Sequence, residues 1–282
     1  MMASQGARAK LVVAEGLRVG GTLVVPAVSE PLAAVLPDFR ARRPDICIRT
    51  FSASPLPGPP DGWADATFLH LGEHRVPISE IPITFDGTAR HNVENALCAT
   101  LAALALHLPG DAISRGLRTF RPSVGDNPGR MNTYRLPSGA LVVLDFAHNA
   151  HGLDRIVDTI RRWPKKRRTL LLGQAGDRPD RDLEALAAAA VPFEPDRIVL
   201  KEVTGRLFGR PLGEIPDILR RTLVAHGYPA GRILGPTPDE ITGVRIALRG
   251  VGWDDVVVLL LHETLAGALV VLKEAGALSI HE

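Results

Sequence analysis

The second half of the chain alternates short apolar runs with longer segments whose apolar residues recur at helical spacing. The predicted strands are 141–145, 169–172, 197–200, 232–234 and 256–261, and the helices that follow them are 153–163, 181–190, 214–226, 238–248 and 264–275. The first and last strands lack polar alternation, as expected of strands buried on both faces. The pattern predicts an α/β fold with a mostly parallel sheet and helices on both of its faces.

The first half of the chain has a weaker pattern. Short apolar runs predict strands at 23–25, 45–51, 67–71 and 81–85, with a short helix and turn over 31–43. Apolar residues at helical spacing then predict helices over 91–107 and 111–119. Segment 121–130, rich in proline and glycine, is the best linker candidate. We therefore expect two domains, 1–127 and 128–282.

Composition narrows the class of protein. The chain has 282 residues, 45% of them hydrophobic and 23% charged, which is enough for two domains with their own cores. No apolar run reaches the roughly 20 residues that span a bilayer, so we predict a cytoplasmic protein without membrane contact. A net charge of +2, 5% aromatic residues and one basic cluster at 165–168 argue against a nucleic-acid partner. The nine histidines and two cysteines show no metal-ligand spacing, so no metal site is predicted.

Polar residues follow four of the predicted strands, at 145–151, 173–182, 201–210 and 262–263. Ligands of parallel sheets bind outside the carboxyl ends of the strands, so these segments predict a shared ligand site. Asp177 and Arg178 can pair with each other beside a glycine turn. Arg206 and Arg210 suggest an anion or carboxylate site, and His262 ends the last strand. Ordinary turns and solvated loops are the alternative interpretation.

Three further motifs carry polar groups at a defined spacing. Asn92 and Asn95 share one face of a helix start and can meet a planar polar ligand, although an asparagine can also cap a helix. Arg130 lies in an Asn-Pro-Gly-Arg turn and can bind phosphate or ribose oxygens through its fork of donors. A strand ending in Asp-Phe-Ala-His-Asn carries Asp145, His148 and Asn149. For that motif a core histidine and a capping asparagine are the alternative.

Taken in order, these motifs resemble the C-terminal part of the Mur ligase superfamily. The His-Asn-x-x-Asn helix, the hinge arginine and the Asp-Phe-Ala-His-Asn signature all have counterparts there. The Asn-Pro-Gly-Arg turn and the Gly-Arg-x-x-Gly-Glu stretch at 209–214 are similar to the ligase half of cyanophycin synthetases. The family's proline after the His-Asn pair is replaced by Ala150. The resemblance implies a Rossmann-like C-terminal domain, preceded by a partial central domain that lacks the phosphate-binding loop (P-loop).

The resemblance also implies roles for individual residues. In the family the matching asparagines approach adenine, so Asn92 and Asn95 are expected to do so here. Arg130 would contact the nucleotide, and Asp145 would accept hydrogen bonds from ribose hydroxyls. The remaining assignments are His148 and Asn149 near the phosphates, Arg130 and His148 as catalytic residues, and Asp177, Arg178, Arg206, Arg210 and His262 on the substrate side.

The function implied by the resemblance is an ATP-dependent acid–amino acid ligase that works through an acyl phosphate, with ATP and Mg²⁺ as cofactors. The carboxylate would belong to an amino acid or polypeptide such as a polymer aspartate, and the amine to an amino acid such as arginine. The family's P-loop ends in Gly-Lys-Thr or Gly-Lys-Ser, but this sequence has no Gly-Lys pair. We therefore expect the chain to be inactive alone and to need a partner chain that carries the loop. The sequence is also compatible with a homo-oligomer. The alternative is a non-catalytic nucleotide-binding module.

Overall fold

The computed structural model describes residues 2–72, 74–164 and 166–281. The chain forms two compact units that divide between Phe120 and Arg121. The units are described separately below, and their assignment as a central-domain remnant and a C-terminal domain stays a prediction. No helix within the described ranges is both long enough and apolar enough to cross a membrane.

The N-terminal unit contains a five-stranded sheet in the order β1-β2-β3-β4-β5. Its strands are β1 (Thr22–Pro26), β2 (Cys47–Ser52), β3 (Gly62–Ala64), β4 (Phe68–Leu71) and β5 (His74–Pro77). The first three strands run parallel, and β3, β4 and β5 pair antiparallel. Its helices are α1 (Met2–Glu15), α2 (Glu30–Ala33), α3 (Leu36–Arg42), α4 (Arg90–Ala105) and α5 (Gly110–Thr119).

Two apolar clusters hold the N-terminal unit together. One contains Val93 and Leu97 of α4, both fully buried, with Leu69 of β4. The other is centred on Phe39 of α3, which is also fully buried, and includes Ile48 of β2. Helix α4 therefore keeps its apolar positions against the sheet, which is the helical spacing that the sequence showed.

The predicted strand at 81–85 is wrong. This segment instead contains the short 3₁₀ turn Pro82–Thr84, which follows another 3₁₀ turn, Ile78–Glu80. Pro82 has no N–H to donate to a strand ladder, and the Thr84 hydroxyl donates to the carbonyls of Ile78 and Ile81, at 3.0 and 2.8 Å. Phe85 then leaves the turn in a left-handed conformation, with φ of 49°. The sequence pattern also missed α1, β3 and β5.

The C-terminal unit contains a seven-stranded sheet in the order β10-β9-β8-β11-β7-β6-β12. Its strands are β6 (Asn132–Arg135), β7 (Leu141–Asp145), β8 (Arg168–Leu172), β9 (Arg197–Lys201), β10 (Ile233–Thr237), β11 (Val256–Leu260) and β12 (Leu278–Ser279). Its helices are α6 (Ala150–Ile160), α7 (Asp180–Ala190), α8 (Glu214–Ala225), α9 (Glu240–Ala247) and α10 (Leu265–Glu274). The five predicted strand and helix pairs are all present, and the expected mixed α/β fold with a mostly parallel sheet is confirmed.

Strand β11 lies between β7 and β8 and pairs parallel with both of them. All five of its residues are fully buried, in keeping with a strand that is covered on both faces. The register places Leu260 beside Asp145, so the loops that follow β7 and β11 leave the sheet next to each other. Strand order reverses here, and such points form crevices at the carboxyl edge of α/β sheets.

The loop after β9 passes directly over the glycine turn that follows β8. The Gly176 N–H donates to the carbonyl of Arg206 at 2.8 Å. A Cβ at position 176 would lie 2.0 Å from the carbonyl oxygen of Leu207. Only glycine therefore allows the two loops to approach this closely.

We predict that Gly176→Ala separates these loops and lowers the free energy of unfolding by about 1–3 kcal/mol, the usual cost of overpacking. Urea denaturation measures the change. Gly231→Ala is the matched control, because a Cβ there meets no atom within 4 Å. Equal stability of the two variants would contradict the close approach.

Candidate functional site

A cavity of about 280 Å³ opens at the carboxyl edge of the C-terminal sheet. It is lined by the segment before β6 and by the loops that follow β7, β9 and β11. Four residues predicted from separate parts of the sequence line it together: Arg130, Asp145, Arg206 and His262. The edge chosen from the strand pattern therefore does form a concave site.

The ring of Phe146 lies among three of the predicted functional residues. The guanidinium carbon of Arg130 lies over it, 5.6 Å from its centroid. The ring of His148 is 5.5 Å away, and that of His262 is 5.7 Å away in an edge-on arrangement. Cation–π and edge-to-face contacts each favour a defined orientation, so Phe146 positions these groups relative to one another.

Asp145 uses its carboxylate to fix the backbone on both sides of the cavity. Its Oδ2 accepts from the N–H of Met131 at 3.0 Å, and its Oδ1 accepts from the N–H of Ala147 at 2.7 Å. The residue is 6% exposed. Burial raises the pKa of this carboxyl to about 6, although the two backbone donors and the charge of Arg130 act to lower it. Its predicted contact with ribose hydroxyls stays a prediction.

Asn132 holds the turn that carries Arg130. Its Oδ1 accepts from the N–H of Gly129 at 2.7 Å. Its Nδ2 donates to the carbonyls of Pro122 and Asn127, at 3.0 and 2.9 Å. A buried amide with three partners is fully engaged, so the Arg130 turn has one fixed shape.

Lys201 and Glu240 form a buried ion pair beneath the cavity. Their side chains are 0% and 1% exposed, and Lys201 Nζ also donates to the carbonyl of Leu260 at 2.6 Å. Glu240 accepts from the backbone N–H groups of His262 and Thr264, at 2.6 and 2.9 Å. Burial alone would raise the pKa of the Glu240 carboxyl, but Lys201 and these backbone donors outweigh it and hold the pKa below its ordinary value. The Glu240 side chain is therefore a charged carboxylate, and its hydrogen bonds hold the turn after β11 in place.

His262 links that turn to the loop after β7. Its Nε2 donates to the carbonyl of Ala147 at 3.0 Å, which leaves Nδ1 unprotonated, buried and without a hydrogen-bond partner among the described residues. Burial, assisted by the charge of Lys201, lowers the pKa of His262 to about 3. The imidazole is therefore neutral at physiological pH. The next residue, Glu263, accepts from the N–H of Gly205, which ties the turn to the loop after β9 as well.

The loops after β7 and β8 are joined by Gln174. Its Nε2 donates to the carbonyl of His148 at 2.6 Å, and its Oε1 accepts from the N–H of Ala175 at 2.7 Å. Asn149 accepts from the N–H of Gly152 at 2.8 Å and so caps α6. Both predicted phosphate-side residues, His148 and Asn149, thus have structural contacts, and their role toward a ligand stays a prediction.

Arg210 binds groups of its own chain. Its guanidinium pairs with Asp180 and Glu214, and it also donates to the carbonyls of Gly176 and Arg178. These contacts hold the loops after β8 and β9 together. Arg178 and Asp177 pair with each other at 3.5 Å, as expected from their sequence order. Of the predicted substrate-side residues, Arg206 and His262 line the cavity.

Sequence reasoning missed Glu240 and Asn132 as parts of this site, and it gave no individual role to Lys201, Phe146 or Gln174, which lie in the predicted polar segments. A lysine at the end of an apolar strand was the one available signal for a buried pair. The acidic partner stands at the start of α9, where a glutamate also suits the helix dipole. Within the described ranges, no group of three or more His, Cys, Asp or Glu side chains is arranged to hold a metal ion.

In the N-terminal unit the two predicted asparagines form a chain of hydrogen bonds. Asn92 Nδ2 donates to the carbonyl of Ile83 at 2.7 Å, and Asn95 Nδ2 donates to Asn92 Oδ1 at 3.1 Å. Asn95 lines a cavity of about 450 Å³ formed within this unit by residues of α4, α5 and neighbouring loops. Their predicted contact with adenine stays a prediction.

Residues 129–260 match the family described as Mur ligase, glutamate ligase domain. This match covers most of the C-terminal unit, which is therefore similar to the glutamate ligase domain of Mur ligases. The recognition made from the motifs is therefore confirmed.

Named relatives show the same relationship. The chain is 36% identical over 149 residues to cyanophycin synthetase of Nostoc sp. PCC 7120, covering 52% of this chain and 16% of that protein. It is 33% identical over 185 residues to UDP-N-acetylmuramate–L-alanine ligase of Xylella fastidiosa, covering 62% and 36%. The chain thus spans well under half of these relatives. The fold is similar to that of folylpolyglutamate synthase from Thermotoga maritima, with a TM-score of 0.62 and 18% identity over 97% of this chain and 58% of that one.

We predict that Glu240→Gln lowers the free energy of unfolding by about 3–5 kcal/mol, because it leaves the Lys201 ammonium buried without its counter-charge. The double variant Lys201→Met/Glu240→Gln should lose less, since no buried charge remains. Urea denaturation of both variants and of Lys201→Met completes the cycle. A loss below about 1 kcal/mol for Glu240→Gln, as for an exposed pair, would show that the pair is not buried.

We also predict a pH dependence that originates at Asp145. Its pKa is about 6 in the folded chain and 3.8 as the ordinary value, so the folded chain binds more protons between these limits. The stability that this group contributes is therefore full below pH 4 and is lost as the pH rises through 6, by up to roughly 3 kcal/mol.

Asp145→Asn removes this titration. The native-minus-variant difference in unfolding free energy should fall between pH 4 and 6 and then level off. Asp154→Asn, an exposed position on α6, serves as the control and should leave the native pH profile in place. A difference that stays constant from pH 4 to 7 would contradict the assignment.

Proposed function

We propose that the chain provides the nucleotide-side and acceptor-side residues of an ATP-dependent acid–amino acid ligase similar to cyanophycin synthetase. The observation that supports this most is the convergence of Arg130, Asp145, Arg206 and His262 on one cavity. They come from four different segments, and a sequence motif or the carboxyl-edge rule predicts a ligand-binding role for each of them.

The residues of the cavity fit a phosphorylated ligand. Arg130 and Arg206 are both exposed, and a guanidinium offers donors in a planar fork that suits phosphate oxygens. The Asp145 oxygens each accept one backbone N–H and keep acceptor capacity for a hydroxyl. In the proposed reaction ATP supplies the phosphoryl group that converts a carboxylate into an acyl phosphate, and an amine then displaces the phosphate. Because the described residues offer no metal cluster, we assign no step of this chain to Mg²⁺.

The acceptor side of the proposal rests on opposite charges within the same cavity. Arg206 and Glu263 both line it. A free amino acid carries a carboxylate and an ammonium group, which match a guanidinium and a carboxylate respectively. A free amino acid, arginine among them, therefore fits better than an amine that has no carboxylate. Asp177, Arg178 and Arg210 would act indirectly, by fixing the loops that border Arg206.

The partner in this proposal is a chain that carries a P-loop. The proposal rests on the sequence, which has no Gly-Lys pair, and on the larger size of the relatives. The missing Gly-Lys pair also favours the second candidate function, a nucleotide-binding module without phosphoryl transfer. A cytoplasmic location belongs to both proposals.

Nucleotide binding separates these proposals from a purely structural domain. We predict that Arg130→Ala weakens ADP binding by about tenfold or more, because a charge-assisted hydrogen bond is worth about 1.5–3 kcal/mol. Titration calorimetry of the full chain with ADP measures the change. Arg245→Ala removes an exposed pair with Glu274 on α9 and α10, and it should bind ADP as the native chain does.

A second assay decides between ligase and module. ADP release is followed with Mg²⁺-ATP, a polyaspartate and arginine, with and without a separately expressed Mur-type P-loop domain. Release that requires both substrates supports the ligase. Nucleotide binding without turnover in either mixture supports the module, and the absence of binding contradicts both.

A further inference from the structure

A tryptophan stands in solvent at the edge of the C-terminal sheet opposite the cavity. Trp253 lies in the loop between α9 and β11 and is 66% exposed. Its six-membered ring packs on Gly139, in the turn between β6 and β7, where a Cβ would overlap the ring. Part of the indole therefore has a fixed support, and the rest is available to a partner. Tryptophan is among the side chains that contribute most at interfaces, so this position suggests a binding surface.

The loop that carries Trp253 has a fixed shape. The carboxylate of Asp255, which is 3% exposed, binds the Arg167 guanidinium through both of its oxygens, at 3.1 and 2.5 Å. The carbonyl of Asp254 accepts from the N–H of Lys166 at 2.9 Å. These contacts tie the loop to the start of β8. Since the loop is already ordered, little conformational freedom is lost when Trp253 contacts a partner.

The groups around Trp253 are positively charged hydrogen-bond donors. The guanidinium of Arg135 donates to the carbonyl of Gly139 at 3.4 Å, which places it beside the indole. Lys166 is exposed, and its backbone N–H bonds to Asp254, the residue after Trp253. Neither the Arg135 nor the Lys166 side chain forms an ion pair with a residue that the structure describes. Both charges can therefore pair with a ligand.

The charges of this region do not cancel. We define the amino-edge surface as Arg135, Lys166, Arg249 and Trp253, of which Arg249 is exposed in the same loop as Trp253. Against three positive charges stands one acidic side chain, the half-buried Asp254, because the other acid of the loop is already paired with a guanidinium. A cation would be repelled here, and a neutral apolar partner would remove charged groups from water without a counter-charge. The surface therefore favours an anionic partner.

We propose that the amino-edge surface binds an acidic polypeptide segment. Carboxylates of the segment accept hydrogen bonds from Arg135 and Lys166, and its chain covers the exposed part of the Trp253 indole. A nucleic acid is also anionic, but proteins bind single strands with several stacking aromatic side chains along a basic groove. The amino-edge surface has one aromatic side chain, so an acidic polypeptide fits it better.

This surface is separate from the cavity. Strands β7 and β11 have five residues each, which corresponds to about 17 Å between the two edges of the sheet. A segment bound at the amino edge therefore leaves the cavity open. The inference goes beyond the proposed ligase function and does not depend on nucleotide binding.

Fluorescence anisotropy of a short labelled peptide of alternating aspartate and glutamate tests the proposal on the full chain. We expect Arg135→Gln and Lys166→Gln each to weaken binding by about threefold, and the double variant by about tenfold, as for exposed ion pairs. Trp253→Ala should weaken binding by about tenfold, because it removes the area that the segment covers. Trp253→Phe keeps an aromatic ring at this position and should lose less.

Arg181→Gln is the matched control. It removes an equal charge from an exposed position in the first turn of α7, at the other edge of the sheet, and it should bind the peptide as the native chain does. An oligothymidylate of the same length measures binding to a nucleic acid. Thermal unfolding confirms that each variant is folded before it is titrated.

The outcomes separate this inference from the proposed function. It would be overturned if the native chain did not bind the peptide, or if the double variant bound it with native affinity. An equal loss in Arg181→Gln would assign binding to net charge instead of this surface, and tighter binding of the oligothymidylate would make a nucleic acid the occupant. The amino-edge variants should bind ADP as the native chain does. Failure of the native chain to bind ADP would overturn the proposed function and leave this inference standing.

Discussion

The buried ion pair of Lys201 and Glu240 shapes the carboxyl edge of the C-terminal sheet. Two charges removed from water are tolerated only when their remaining hydrogen-bonding capacity is filled. Glu240 fills its capacity with the backbone N–H groups of the turn after β11, and Lys201 with the carbonyl of Leu260. The turn cannot move without exposing one of the charges to an apolar interior. Its position is therefore set by electrostatics as much as by packing.

Hydrogen bonds connect this pair to the other loops that line the cavity. The turn after β11 holds His262, which donates to the loop after β7, and Glu263, which accepts from the loop after β9. Gln174 connects the loop after β8 to His148. On the other side Asp145 and Asn132 fix the segment that carries Arg130. Loops from four strands thus share one hydrogen-bonded network, and a site built in this way keeps its geometry before any ligand binds.

Local pattern was enough to predict the five strand and helix pairs of the C-terminal unit, because buried parallel strands and amphipathic helices differ clearly in period. It failed at 81–85, where Pro82 has no N–H to donate to a neighbouring strand and the Thr84 hydroxyl donates to backbone carbonyls. For the site, the carboxyl-edge rule brought Arg130, Asp145, Arg206 and His262 to one place. Pairs such as Lys201 with Glu240 depend on strand order, which local sequence does not encode. The hydrogen bond from Asn92 to the carbonyl of Ile83 likewise joins a helix to a separate turn.

The central position of β11 has a consequence for how this unit is made. In the chain, β11 is the sixth of the seven strands of its sheet, and only the short β12 follows it. During synthesis β7 and β8 are available early, but the partner that joins them leaves the ribosome late. Pairings between distant parts of a chain form slowly, and unpaired strand edges are prone to aggregate. The emerging chain must therefore keep two apolar strands apart from other proteins until their shared neighbour arrives.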